Sequence, residues 1–163
     1  MSLFKPSLVL DKFNNLDIIS FKNKGFKAAL IDIDNTITIP DTGLFTDEAL
    51  EFVKILKDNG INPIIFSNNN SKRVKKFIGS EDIEYYYYAL KPLPFRFWSI
   101  AKKHNYKPNE IIVLGDQLLT DILGANLSGC YGVYCKQLYE KDTLVTSFNR
   151  HIEKRIWKRI KDE

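Results

Sequence analysis

The chain has 163 residues, and 24 Lys and Arg against 20 Asp and Glu give a formal net charge of +4 at pH 7. This length fits one domain, 1–163, with a core that needs neither disulfides nor a structural metal. The positive excess is too mild to imply a nucleic-acid partner by itself. No stretch approaches the roughly 20 apolar residues of a membrane-spanning helix, and MSLFKPSLVLDKF lacks the apolar run of a secretory signal. The expectation is a cytoplasmic protein, at most peripheral on the inner face of a membrane. Cys130 and Cys135 lack Cys-x-x-Cys spacing, and His104 and His151 are far apart. Free thiols, neither a zinc site nor a disulfide, are therefore expected.

Along the chain, short apolar runs alternate with amphipathic segments. Ala28 to Asp32 predicts a buried strand. Thr46 is placed to cap a helix, with Asp47 and Glu48 facing the positive end of its dipole. Ala49, Phe52, Val53 and Leu56 supply its apolar face and Gly60 its end. Pro63 to Phe66 predicts a second strand, and Ser71 the cap of a short basic helix through Phe77. Glu84 to Ala89, which contains the four-tyrosine run Tyr85 to Tyr88, predicts a third strand. Pro94 to His104 reads as a helix, Ile111 to Leu114 as a fourth strand, and Thr120 to Ser128 as a helix closed by Gly129. Tyr131 to Tyr134 is a fifth strand, and a helical tail begins near residue 143. This rhythm predicts an α/β fold: a doubly wound parallel sheet of about five strands with helices on both faces.

In such a sheet, ligands bind at the carboxyl ends of the strands. Those ends carry Asp32-Ile33-Asp34-Asn35-Thr36, then Ser67-Asn68-Asn69-Asn70, then Lys91-Pro92, then Gly115-Asp116 with Asp121 beyond. Carboxylates, a hydroxyl and an ammonium at one mouth suit phosphoryl transfer, which needs a nucleophile, charge neutralisation and positioning. Each motif alone is weak; their order and placement carry the reading. Asp32, Asp34 and Asp116 crowded together would repel without a cation, and a hard divalent ion such as Mg²⁺ removes that conflict. An EF-hand is excluded, because Ile37 stands where the turn glycine is required and Gly43 where the bidentate Glu is required.

DIDNT, FSNNNSKRV, KP, GDQLLTD and SFNRHIEKRI together resemble the haloacid dehalogenase (HAD) superfamily of phosphatases. Within it they are similar to the capless IIIA, YqeG-type branch, which is related to mitochondrial phosphatases acting on phosphatidylglycerophosphate. The resemblance implies that Asp32 is a nucleophile forming an aspartyl-phosphate and that Asp34 is the general acid and base. It implies that Ser67, Lys91 and the backbone near Asn68 bind the phosphate. Mg²⁺ would be held by Asp32, the Asp34 carbonyl and Asp116, with Asp121 and Thr36 supporting them from behind.

Only nine residues, Ile37 to Phe45, separate the first strand end from the next helix cap, and Asn70 to Lys91 holds one helix and one strand. Neither gap has room for a cap domain; together with the resemblance and the basic tail described next, this makes phosphatidylglycerophosphate or another exposed phosphate ester the favoured substrate. A small metabolite or a nucleic acid end is the alternative, and no specific nucleic acid is expected. In the tail, Val145, Phe148, Ile152, Ile156 and Ile160 form an apolar stripe beside Trp157, flanked by Arg150, Lys154, Arg155, Lys158, Arg159 and Lys161. Such a basic amphipathic helix, about 143–161, fits either a membrane surface or a place against the sheet. A receiver-like phosphoryl switch is the reading from another class. Asp34 argues against it, because an acid/base there shortens the life of an acyl phosphate.

Overall fold

The computed structural model describes residues 3–38, 44–138 and 152–160. Six parallel strands form one sheet: β1 (Leu8–Leu10), β2 (Ala28–Ile31), β3 (Asn62–Phe66), β4 (Glu84–Tyr86), β5 (Ile111–Gly115) and β6 (Tyr131–Cys135). Their order is β1-β6-β5-β2-β3-β4. The sheet thus has one strand more than the five expected. β1 escapes a pattern search because it is three residues long and lies at the edge, where it pairs with β6 alone.

The helices are α1 (Ile18–Asn23), α2 (Asp47–Asp58), α3 (Ser71–Ile78), α4 (Phe95–Lys103) and α5 (Leu123–Ser128), with α6 at 152–160. Every residue of β2 is buried, as a strand covered on both faces requires. Ala29 and Ile31 pack with Phe52, Leu56, Val74 and Phe77 of α2 and α3. Ala28 and Leu30 turn the other way, towards Phe97, Ile100 and Ala125 of α4 and α5. This is the doubly wound arrangement expected, and among the described residues no cap domain covers it.

Thr46 caps α2 by accepting from Ala49 N–H at 3.2 Å. The cap of α3 is Asn70, which accepts from Arg73 N–H at 2.9 Å, and the expected Ser71 is the first helical residue. Both residue types cap well, so pattern alone does not choose between neighbours. β4 ends at Tyr86 instead of continuing to Ala89, because Tyr88 takes a positive φ of 45° and leaves the ladder. The last helical segment before β6 starts as a π turn, Leu118–Ile122, and continues as α5 to Gly129 (φ 80°).

In the tail, Ile156, Trp157 and Ile160 pack on Leu118, Ile122 and Tyr134. The Trp157 and Tyr134 rings lie 5.0 Å apart, and Glu153 is buried and accepts from Leu119 N–H at 3.1 Å. The described part of the tail therefore docks on the domain with Lys154, Arg155, Lys158 and Arg159 exposed. Val145, Phe148, Arg150 and Lys161 lie outside the described residues. Among the described residues no helix is long and apolar enough to cross a membrane.

The cap assignment is testable by urea denaturation. Asn70→Ala should lower stability by about 1 kcal/mol, and Ser71→Ala should leave it nearly unchanged. A larger loss for the serine variant would reverse the assignment.

Candidate active site

The strand order reverses between β2 and β5, the point at which a doubly wound sheet opens a crevice. Ile31 pairs with Leu114, and Asp32 N–H donates to Leu114 O at 2.9 Å, so the strand ends bearing Asp32 and Asp116 lie side by side. Carboxylate oxygens of Asp32, Asp116 and Asp121 all lie within 4.8 Å of one another. Lys91 enters from the loop after β4. Its Nζ lies 2.7 Å from Asp32 Oδ1 and 2.6 Å from Asp121 Oδ1, and all three side chains are buried.

One ammonium stands among three crowded carboxylates, so like charges oppose one another there. The Asp32 carboxyl is pushed up to about 8. Burial is the largest cause and the charges of Asp121 and Asp116 add to it, while Lys91 pulls the other way. Burial works against the charge of Lys91, but Asp121 and Asp32 overcome it and raise its pKa, so it stays protonated. An all-oxygen site with this surplus of negative charge fits a hard divalent cation.

Gly115 explains how Asp121 reaches the cluster. A Cβ on Gly115 would lie 2.1 Å from Asp121 Cγ, so only glycine lets that carboxylate rest on the strand end. Around the π turn, Asp121 N–H and Ile122 N–H both donate to Gln117 O, at 3.0 and 3.2 Å. Gln117 N–H donates to Asp121 Oδ2 at 3.2 Å. Single π turns of this kind recur at functional sites. The extra residue between Asp116 and α5 lets Asp121 face back towards Lys91. Asp121 therefore sits within the carboxylate cluster, beside Asp32 and Asp116 and paired with Lys91.

Asp34 lies outside that cluster. Its carboxylate accepts from Asn69 Nδ2 at 2.6 Å and pairs with the Arg73 guanidinium. The metal role expected of Asp34 was for its main-chain carbonyl, which this side-chain placement does not touch. Asn35 holds φ 60°, a conformation asparagine tolerates better than most residues. The loop then folds back so that Thr36, Ile37 and Thr38 N–H groups all point at Ile33 O. Thr36 is fully buried beneath it, and Thr36 Oγ1 and Asn35 Oδ1 have no hydrogen-bond partner among the described residues.

Ser67 is buried at the end of β3, where its Oγ accepts from Asn69 N at 3.2 Å and Nδ2 at 3.0 Å. The Asn68 side chain accepts from Lys91 N–H at 2.8 Å and donates to Lys91 O at 3.0 Å, which leaves untouched the backbone role expected near Asn68. That side chain fixes the backbone of the lysine, and the Lys91-Pro92 bond that follows is cis.

Two residues at this mouth are not assigned by the sequence reading: Asn69 and Gln137, whose Nε2 donates to Asp116 Oδ2 at 3.2 Å; Arg73 reads there only as one of the basic residues Lys72, Arg73, Lys75 and Lys76 beside Ser67, open to a phosphorylated substrate or to solvent, and not as a partner of Asp34. Arg73 left a signal. With Asn70 as cap it lies in the first turn of α3, where a cation opposes the helix dipole unless a carboxylate receives it.

The fold and this site define a capless phosphatase of the HAD superfamily. The family described as mitochondrial PGP phosphatase matches residues 1–139, and the chain belongs to it. The chain is 35% identical over 158 residues to "Probable phosphatase YqeG" of Bacillus subtilis, covering 97% of this chain and 92% of that one. It is 31% identical over 155 residues to the mitochondrial phosphatidylglycerophosphatase GEP4 of Saccharomyces cerevisiae, covering 83% and 79%. Among solved structures, the cobalt-bound deoxy-D-mannose-octulosonate 8-phosphate phosphatase YrbI of Haemophilus influenzae superposes with a TM-score of 0.56 at 16% identity. That match covers 70% of each chain and concerns the fold alone.

Two outcomes follow from this geometry. Gly115→Ala should displace Asp121 from Lys91 and lower phosphatase turnover about 100-fold, in line with loss of a preorganised charged group; unchanged turnover would show that this contact is dispensable. Because Asp32 holds its proton below about 8, divalent-cation binding should release protons below that pH. Apparent affinity should therefore rise with pH up to about 8 and then level off. Titration calorimetry in buffers of different ionisation enthalpy measures the proton release directly.

Proposed function

We propose that the protein is a Mg²⁺-dependent phosphomonoesterase that works through an aspartyl-phosphate on Asp32, with phosphatidylglycerophosphate as its favoured substrate. The observation that carries the chemistry is the Lys91 ammonium held between Asp32 and Asp121 beside Asp116 at the sheet's switch point. The substrate reading is supported by family membership, by the named activity of the yeast relative and by the uncapped site.

In this reading an Asp32 carboxylate oxygen attacks phosphorus, and the bond from phosphorus to the ester oxygen breaks. Asp34 delivers its proton to that departing oxygen, then takes one from the water that cleaves the acyl phosphate. Asn69 and Arg73 hold the Asp34 carboxylate in place for both transfers. The phosphoryl oxygens meet the Ser67 hydroxyl and main-chain N–H groups of the Asn68 turn, and Lys91 neutralises charge on nucleophile and phosphate together. Asp32, Asp116 and the Asp34 carbonyl would hold Mg²⁺, with Asp121 and Thr36 behind them. When bound, the ion supplies charge neutralisation for the phosphoryl group. The setting fits a cytoplasmic enzyme working at the inner face of a membrane.

Asp32→Asn should abolish phosphate release in a Mg²⁺ assay. Asp34→Asn should retain label on Asp32 as a hydroxylamine-sensitive phosphoprotein, and a long-lived phosphoprotein already in the wild type would point to a receiver-like switch. For the substrate, phosphate release from phosphatidylglycerophosphate in micelles is compared with release from nucleotides and sugar phosphates. An inert lipid beside a well-used soluble ester would overturn the lipid assignment. Arg73→Ala should lower kcat about tenfold, as expected for a group that orients an acid/base residue, with little change in stability; an unaltered kcat would remove the positioning role.

A further inference from the structure

We propose that the loop from Tyr87 to Phe95, with the first turn of α4, is a docking surface for an anionic lipid bilayer. This deepens the lipid-phosphate reading above and rests on it for the identity of the bilayer's role, although docking itself is measured without turnover. The loop forms the rim of the site. Tyr88 N–H donates to Asn69 O at 2.9 Å, Ala89 N–H donates to Ser67 O at 3.0 Å, and Lys91 reaches from it to Asp32. Whatever settles on this loop therefore lies beside the reacting groups.

Its side chains do not suit water. Tyr87, Tyr88, Leu90, Leu93, Phe95 and Trp98 fall within twelve consecutive residues and are exposed by 41% at Tyr87 to 67% at Phe95. They form ring pairs, Tyr87 with Tyr88 at 5.8 Å and Phe95 with Trp98 at 6.0 Å. Scattered exposed apolar residues are ordinary on any surface, but a run of them at the mouth of a site marks an interaction. The buried side of α4 is already supplied by Phe97, Ile100 and Ala101, so Phe95 and Trp98 stand on the outer side, where a helix facing water carries polar residues. Tyr88 and Leu90 also hold left-handed backbone (φ 45° and 59°), at some energetic cost for a bulky side chain.

Charge selects the occupant. No Asp or Glu occurs from Asn62 to Ser80 or from Tyr85 to Asn109, the two stretches that contribute Ser67 and Lys91. Lys72, Lys75, Lys76 and Arg96 there are exposed. Exposed aromatic and aliphatic side chains together with exposed cations from the same two stretches match the boundary between acyl chains and anionic headgroups. A second copy of the chain fits poorly, because a two-fold contact across this face would set like charges against each other.

The test is co-sedimentation of the full chain with sucrose-loaded vesicles of phosphatidylcholine alone, and of phosphatidylcholine with phosphatidylglycerol in roughly equal parts. Wild type should sediment with the anionic vesicles and much less with the neutral ones. Leu93→Ser/Phe95→Ser should weaken partitioning by about tenfold or more and leave turnover of a soluble ester such as p-nitrophenyl phosphate unchanged. Failure of wild type to bind anionic vesicles, or equal binding by the double variant, overturns the proposal. So does a concentration-dependent dimer in solution that the double variant abolishes. Vesicle binding by a protein that hydrolyses only soluble esters leaves docking intact and overturns the lipid substrate instead.

Discussion

A buried ammonium shared by two carboxylates is the interaction around which this site is organised. Lys91 contacts Asp32 from β2 and Asp121 from the π turn after β5, and it arrives on a loop that follows β4. Three separate stretches of chain are thereby tied to one point. Burying such a charge is unfavourable unless it is paired and hydrogen-bonded, so the surrounding backbone must hold both carboxylates in place. It does so with particular devices: glycine at 115 to admit Asp121, and the Asn68 amide to clamp the lysine backbone. The price is electrostatic, because a third carboxylate, Asp116, leaves the cluster over-negative and Asp32 reluctant to ionise. That imbalance is useful in a phosphatase. A divalent cation relieves it, and the relieved Asp32 becomes an anion aimed out of the sheet.

A second arrangement sits on the other side of the mouth. Asp34 is only two residues from Asp32, yet its carboxylate belongs to a different environment, with Asn69 and Arg73 as partners. Two acidic groups of the same type are thus separated by their surroundings, one buried among charges of its own sign and one beside a guanidinium. Such divergence lets neighbouring carboxylates take different parts in one reaction.

Among the described residues no cap domain closes the site on the side of the β4–α4 loop. Water exclusion and substrate choice then fall to whatever meets the rim. The residues there are apolar and cationic without a single carboxylate between Tyr85 and Asn109. An uncapped site, an apolar rim and a basic α3 are the features on which the proposed bilayer docking rests. The docked tail adds exposed cations on α6, whose apolar side is used for packing on Leu118, Ile122 and Tyr134.

The strand-end positions of Asp32, Ser67, Lys91 and Asp116 were legible in the sequence, because fully buried strands read as short apolar runs and chemistry in a parallel sheet gathers at their ends. The buried face of α2 was legible for a similar reason, as a periodic pattern of Ala49, Phe52, Val53 and Leu56. Edge strand β1 was not, being too short to carry a pattern, and neither was the choice of Asn70 over Ser71 as cap. Side-chain partnerships across the chain were out of reach. That Asp121 belongs with Lys91, that Asp34 belongs with Arg73, and that Asn68 serves the lysine all depend on contacts between residues 23 to 39 positions apart. Local periodicity records which face of an element is buried; it holds no information on which distant group will stand opposite, and that was decided by the register of β2 against β5 and β3 and by the turns that close over them.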